Sequence, residues 1–367
     1  MTGSLNGAVG YNAVYTLDPG PEFNIIPLCK YFRVSEGDFN DIYDLVVGRE
    51  IASGWFNTDQ FTLEPLFYYS IARSGYGVAD PESATSIYIP FFIGLASMRL
   101  TPEEYMELFE RFCRICNLYN NKTIILPTSR IFHFFMANLK YRVSLPDNVV
   151  AVTIEKQLSL GSVIAAPYPT NYHAIEGLSA SEIEFRALDQ KEYFASFCGN
   201  IRSPARESLL RSFQSSPVPV DVVPVDVKLR KHYPTDESAL RMVFSKNKSV
   251  FSIEPAGDSP SRKSIYDSLA AGCIPVIYQS ARFHMPFEAL IDWAKACVFV
   301  LGNDEKRDII SYLRDIPNEE IEERLEYIWS IRNYLQFPIG APADRKNALD
   351  QILLELEMAR LRRLSAA

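Results

Sequence analysis

At 367 residues, with 47% hydrophobic and 22% charged side chains, the chain has ordinary globular composition and length for two domains. Its formal net charge of −8 argues against a nucleic acid or other polyanion as partner, because no broad basic surface would offset phosphate repulsion. No stretch approaches the roughly 20 apolar residues of a membrane span, and the first ten residues show neither a basic start nor an apolar run.

In chain order, the opening segment Ala13 to Leu17 reads as a strand and ends in the turn D-P-G-P. Residues 38–53 read as a helix, and another starts near Pro65, a residue suited to a first turn, and runs to Ser74. Thr85 to Phe92 is a buried strand. Thr101 caps a long helix ending near Asn117, with Glu104 completing a capping box. Thr123 to Leu126 and Val149 to Thr153 are strands, and Ile175 to Lys191 reads as a helical connector. A second alternation begins with a strand at Tyr193 to Phe197. A helix at 204–214, a strand near Val220, a helix at 235–245 and a strand at Val250 to Ile253 follow. Ile274 to Tyr278 and Cys297 to Leu301 are further strands, and the chain from Glu305 onward is largely helical apart from a Pro/Gly break at 337–342. Alternating strands and helices imply parallel sheets covered on both faces.

The six cysteines are scattered. Cys113 and Cys116 form a C-x-x-C inside a helical segment with no second pair and no nearby histidine, so they read as packed thiols rather than zinc ligands. Aromatic residues are plentiful and read chiefly as core. Two Asn-x-Ser/Thr triplets, at Asn121 and Asn247, are weak pointers to a lumenal setting.

The segment Val250 to Ile277 carries most of the chemistry: strand, polar loop, helix, Gly272 as the helix stop, then strand. Ser259 reads as an N-cap and Pro260 as the first helical residue, so the unpaired amides and positive end of the helix face a loop containing Gly257 and Asp258. Arg262 stands in the first turn, and Ser261, Ser264 and Asp267 are spaced to share a helix face. A second glycine loop, S-F-C-G-N-I-R, follows the strand at 193–197 and brings Arg202 and Arg206 as partners for leaving-group charge. There is no G-x-G-x-x-G, no G-K-[ST] and no Asp-x-Asp, so neither a dinucleotide fold, nor a P-loop, nor a metal–diphosphate handle is supported.

The run Pro255, Gly257, Asp258, Ser259, Ser261, Arg262, Lys263, Ser264, Ile265, Tyr266 and Asp267, followed by G-C-I-P-V from Gly272, resembles the exostosin family of inverting glycosyltransferases. So do S-F-C-G with Arg202 and M-P-F-E-A-L-I-D-W from Met285 to Trp293. In the N-terminal half, G-W-F-N-T-D-Q-F-T-L-E from Gly54, A-T-S-I-Y-I-P-F-F-I-G-L from Ala84 and A-P-Y-P-T-N-Y-H from Ala166 resemble the plant xyloglucan galactosyltransferase branch. The resemblance implies an α/β GT-B architecture, two Rossmann-like domains facing a central cleft. Residues 1–180 would form the acceptor-binding domain, 181–345 the nucleotide-sugar-binding domain and 346–367 a C-terminal helix.

It also implies a UDP-sugar donor, galactose first, a glycan or polysaccharide acceptor as in cell-wall synthesis, and no metal cofactor. On this reading Arg202, Ser261, Arg262 and Ser264 hold the diphosphate and Asp267 accepts from the ribose hydroxyls. Glu254 either contacts a donor-sugar hydroxyl or packs the loop. Inversion by single displacement needs a base for the acceptor hydroxyl, and Asp59, Glu64 and His173 are the candidates, Asp59 first. The branch's G-R-x-x-W-D-F motif is altered here: Arg130 is kept, but His133 and Phe134 replace the Trp-Asp pair. That departure motivates a second reading, a non-catalytic glycan-binding or partner subunit. Homo- or heterodimerisation stays open. The resemblance implies a Golgi-lumen setting if an anchor lies outside this sequence, and a cytoplasmic one otherwise.

Overall fold

The computed structural model describes residues 13–37, 42–129, 144–157, 163–173, 184–201, 203–225, 235–257, 260–278, 283–300, 308–337 and 347–366. The N-terminal unit runs β1 (Val14–Thr16), α1 (Ile25–Phe32), α2 (Ile42–Val47), β2 (Glu50–Ala52), β3 (Trp55–Phe56), α3 (Leu63–Arg73), β4 (Ser86–Tyr88), α4 (Ile93–Arg99), α5 (Pro102–Leu118), β5 (Thr123–Thr128), β6 (Val149–Thr153), β7 (Lys156–Gln157) and β8 (Val163–Ala165). Five of its strands form a parallel sheet in the order β1-β4-β5-β6-β8.

The C-terminal unit runs β9 (Tyr193–Gly199), α6 (Pro204–Gln214), β10 (Val220–Pro224), α7 (Asp236–Asn247), β11 (Ser249–Glu254), α8 (Lys263–Ala270), β12 (Ile274–Tyr278), β13 (Phe283–His284), α9 (Trp293–Ala296), β14 (Val298–Val300), α10 (Ile309–Arg314), α11 (Asn318–Ile331) and α12 (Ala348–Ala366). Its five-stranded parallel sheet has the order β10-β9-β11-β12-β14. Two Rossmann-like units facing one another constitute a GT-B architecture.

Local chemistry accounts for most elements. Thr101 and Glu104 close a capping box on α5, Pro102 fills its first turn, and Tyr105, Leu108, Phe109, Phe112 and Cys116 form one buried stripe at helical spacing. Every residue of β5 and of β11 is buried, as strands covered on both faces require. Gly272 adopts φ +68° after α8, the left-handed stop expected of it. All six cysteines are free, and Cys116 lies in the core with Cys113 half-buried beside it. No described helix is long and apolar enough to cross a membrane.

Several expectations need correction. The helix expected over 38–53 is, among the described residues, only α2. Gly48, at φ +83°, turns the chain into the β2–β3 hairpin, where a β-carbon would collide with the Asn57 carbonyl. The strand expected over Thr85 to Phe92 is confined to β4, because Pro90 brings no amide to the ladder. Of the expected connector helix, residues 184–190 hold only a single 3-10 turn at Leu188–Gln190, and 174–183 lie outside the described residues. The Asn247 amide is buried and donates to the Glu184 and Ala271 carbonyls, so it is no glycan acceptor in the folded chain.

Among the described residues the two units are joined at several places. The β2–β3 hairpin and the segment 170–173 pack on α7 and α8, with Trp55 and Tyr172 against Val243, Ala270 and Ala271. Arg332 stacks between Tyr172 and Trp329, 4.3 and 3.7 Å from the ring centroids. The antiparallel pair β7–β13 ties Lys156 and Gln157 to His284 and Phe283. Finally α12 returns to the N-terminal unit, lying on α3 and β8, with the Tyr76 hydroxyl donating to Asp350 at 2.6 Å.

Candidate active site

In the C-terminal sheet the chain passes from β9 outward to β10, then back across to β11 on the other side. Loops leaving the carboxyl ends of β9 and β11 therefore diverge, opening the crevice in which open α/β sheets bind ligands. The residues of that crevice are laced together by two arginines. Arg262 donates from Nη1 to Glu254 Oε2 at 3.0 Å and to the Pro255 carbonyl at 3.2 Å, and from Nη2 to the Cys198 carbonyl at 3.4 Å. Gly199 makes this crossing feasible: a β-carbon there would sit 3.0 Å from Arg262 Nη2. Arg206 spans the same gap, donating to the Asn200 carbonyl at 2.8 Å and the Ala256 carbonyl at 3.3 Å.

Beneath the loops lies a buried charge cluster that the sequence did not reveal. Lys246, at the end of α7, donates to Glu254 Oε1 and Ser252 Oγ at 2.9 Å each, to Ser264 Oγ at 2.9 Å and to Ser268 Oγ at 2.6 Å. Ser252, Ser264 and Ser268 also donate to Glu254 Oε1, at 2.8, 2.9 and 3.1 Å. Burial alone would push the Glu254 carboxyl up, but the Lys246 and Arg262 charges hold it below its ordinary value. Glu254 thus packs the loop and aims Arg262: Oε1 takes Lys246 and three serine hydroxyls, and Oε2 takes Arg262. Removing the ammonium should be costly. Lys246→Met is expected to lower stability by about 3–5 kcal/mol, because it removes one partner of a buried ion pair, and chemical denaturation measures the loss.

The start of α8 differs from the expected one. The helix begins at Lys263 with Arg262 extended at the N-cap position (φ −147°, ψ 143°), so Pro260 is outside it. Ser264 and Asp267 do not act together. Ser264 turns inward to Lys246 and Glu254, whereas Asp267 faces the N-terminal unit. Lys263 Nζ donates to Asp267 at 2.7 and 3.0 Å and to Asn171 Oδ1 at 2.6 Å, while the Asn171 amide donates to Asp267 Oδ1 at 2.8 Å. Asp267 therefore holds Lys263 and pins α8 to segment 170–173. Ser261 is buried, and its amide donates to Glu155 Oε2 at 2.8 Å. Gly257 closes the described part of the loop. Arg202, Asp258 and Ser259 lie outside the described residues, as do Arg130, His133 and Phe134.

The three base candidates separate clearly. Glu64 accepts from the Gly94 amide at 2.5 Å and the Leu95 amide at 3.2 Å, capping the first turn of α4 with both oxygens. His173 is buried, its Nε2 2.9 Å from Thr58 Oγ1; since that hydroxyl donates to the Val47 carbonyl, the ring nitrogen is assigned as the donor. Burial, with the Lys263 charge, lowers the imidazole to about 3, leaving it neutral and weakly basic. Asp59 accepts at Oδ1 from the Tyr31 hydroxyl at 3.0 Å and the Phe61 amide at 2.8 Å. Its Oδ2 is buried without a hydrogen-bond partner among the described residues. Burial raises this carboxyl to about 6, against the pull of those two hydrogen bonds and of the Lys263 and Arg99 charges. Of the three, only Asp59 combines a spare oxygen with a proton affinity near neutral pH.

A profile of the exostosin GT47 domain matches residues 13–316. The chain belongs to the exostosin GT47 family. Among its relatives from Arabidopsis thaliana, the protein described as probable xyloglucan galactosyltransferase GT15 is 26% identical over 334 residues, covering 81% of this chain and 67% of that one. Xyloglucan-specific galacturonosyltransferase 1 is 25% identical, covering 87% and 52%, and xyloglucan galactosyltransferase XLT2 is 27% identical, covering 66% and 50%. The chain thus spans about half the length of the latter two. Among solved structures, spinosyn rhamnosyltransferase SpnG aligns over 94% of this chain and 99% of its own, at 9% identity and a TM-score of 0.33. Within this exostosin GT47 chain, Arg206, Ser261 and Arg262 of the sequence motifs come together here, joined by Lys246, Lys263, Asn171 and Glu155, to which spacing alone gives no role.

Proposed function

We propose that this exostosin GT47 chain is an inverting, metal-independent glycosyltransferase that moves a sugar, galactose first, from a UDP-sugar to a xyloglucan-type side chain. The observation that carries the reading is the lacing of both switch-point loops by Arg206 and Arg262, beside the start of α8. Positive charge is concentrated there on a preformed frame, which is what a departing nucleoside diphosphate needs. The relatives described as galactosyl- and galacturonosyltransferases support the sugar and acceptor classes.

In the reaction proposed, Asp59 Oδ2 takes the proton of the acceptor hydroxyl as its oxygen bonds to the anomeric carbon. The bond from that carbon to the β-phosphate oxygen breaks with its electron pair, and UDP leaves toward Arg262 and Arg206. One displacement inverts the configuration. Lys263, fixed by Asp267 and Asn171, keeps positive charge near Asp59 and favours its ionised form.

The test is a donor screen with UDP-galactose, UDP-galacturonic acid, UDP-xylose, UDP-arabinose and UDP-glucuronic acid, using xyloglucan oligosaccharides as acceptors. Acceptor-dependent UDP release is expected with at least one donor, undiminished by chelator, with NMR of the product showing the opposite anomeric configuration to the donor. Failure of every donor, or a retained configuration, would overturn the reading.

A further inference from the structure

Glu155 follows β6 in the N-terminal unit and is 1% exposed, yet its carboxylate reaches across to the C-terminal unit, where Oε2 accepts from the Ser261 amide at 2.8 Å. That amide belongs to the donor loop, one residue ahead of Arg262, and Ser261 itself is buried. The next two residues, Lys156 and Gln157, continue onto the C-terminal unit through the β7–β13 pair. Residues 155–157 therefore form a strap from one unit to the other, with a negative charge seated at its first residue on an amide of the proposed diphosphate site.

Resting on the donor-site reading above, we propose that Glu155 is a resident anion at the diphosphate seat, holding the Ser261 amide until the donor displaces it. One N–H cannot serve a carboxylate and a phosphate oxygen equally, and the two negative charges repel. A diphosphate drawn to Arg206 and Arg262 expels Glu155, and loss of this anchor loosens the strap. Donor arrival is thereby communicated to the N-terminal unit, whose Asp59 must meet the acceptor. The carboxylate also keeps the amide satisfied while the site is empty, since an unpaired buried N–H is costly.

Two measurements on the full chain test this. By calorimetry, Glu155→Gln is expected to bind UDP about tenfold more tightly than the wild type, because a neutral amide competes less well for the Ser261 N–H than a charged carboxylate. Hydrogen–deuterium exchange on the wild type is independent of any variant: UDP should increase exchange at 155–157 and 283–284. Unchanged or weaker UDP binding by the variant, or a gain of protection in the strap, would overturn the proposal while leaving the donor site standing. Absence of UDP binding in both proteins would remove the donor-site reading and this proposal together.

Discussion

Arg262→Ala is expected to reduce kcat/KM by about 10²–10³-fold and to weaken UDP binding, while the protein stays folded. The stability side follows from the Glu254 cluster. When the guanidinium is removed, Glu254 Oε1 keeps Lys246, Ser252, Ser264 and Ser268, and only Oε2 loses its donor. One unsatisfied buried oxygen costs about 1–3 kcal/mol, which a chain with this much buried core survives. Arg262→Lys should fall between, since an ammonium keeps the charge but cannot span Glu254, Pro255 and Cys198 at once. Steady-state kinetics, UDP calorimetry and thermal unfolding on the same variants separate the two effects. If Arg262→Ala lost stability alone, with normal UDP affinity, the arginine would be only a loop tie.

Asp59→Asn is expected to lower kcat by about 10²–10⁴-fold with little change in donor KM, the signature of a lost general base. Asparagine fits the same space and its Oδ1 still accepts from Tyr31 and Phe61. Wild-type activity should rise as pH passes about 6, where the carboxyl ionises, and this limb should vanish in the variant. The stability effect has the opposite sign. A carboxyl raised from 3.8 to about 6 binds its proton more tightly in the folded state, so its contribution is present below 3.8 and is lost as pH rises through 6. Asp59→Asn is therefore expected to be more stable than the wild type at pH 7, by up to about 2–3 kcal/mol. A variant that is more stable and nearly inactive marks a residue retained for chemistry. pH–rate profiles and denaturation at pH 5 and pH 7 measure both effects.

The parts of this fold that were legible in the sequence are those determined within a few residues. The α5 capping box, the Pro204 start of α6 and the β12 strand follow from local spacing, and the structure places them accordingly. In the loop after β11 the sequence suggests an anion site, but the helix start there was not legible. Ser259-Pro260 is a good local start signal, yet Arg262 is drawn back to Glu254 and Cys198 and the Ser261 amide is held by Glu155, so the chain stays extended until Lys263. Long-range bonds outweighed local propensity there. Lys246 escaped notice because a lysine in the last turn of a helix normally reads as a solvated charge complementing the dipole. Its partners come from β11 and α8, and no pattern within α7 announces them. Asp59 and Glu64 stand five residues apart in one run, and spacing could not separate them. The distinction lies in what each meets: Glu64 the amides of Gly94 and Leu95, Asp59 the Tyr31 hydroxyl with one oxygen to spare.

The claim on which the rest depends is that the diphosphate binds where the loops after β9 and β11 diverge. A crystal structure with UDP bound tests it most directly. Phosphate oxygens are expected within hydrogen-bond distance of Arg262 and of the Ser261 amide, with the Glu155 carboxylate displaced from that amide. UDP ordered elsewhere, for example in the cavity between Phe283, Met285, Trp293 and Phe299, with Arg262 and Ser261 untouched, would contradict it.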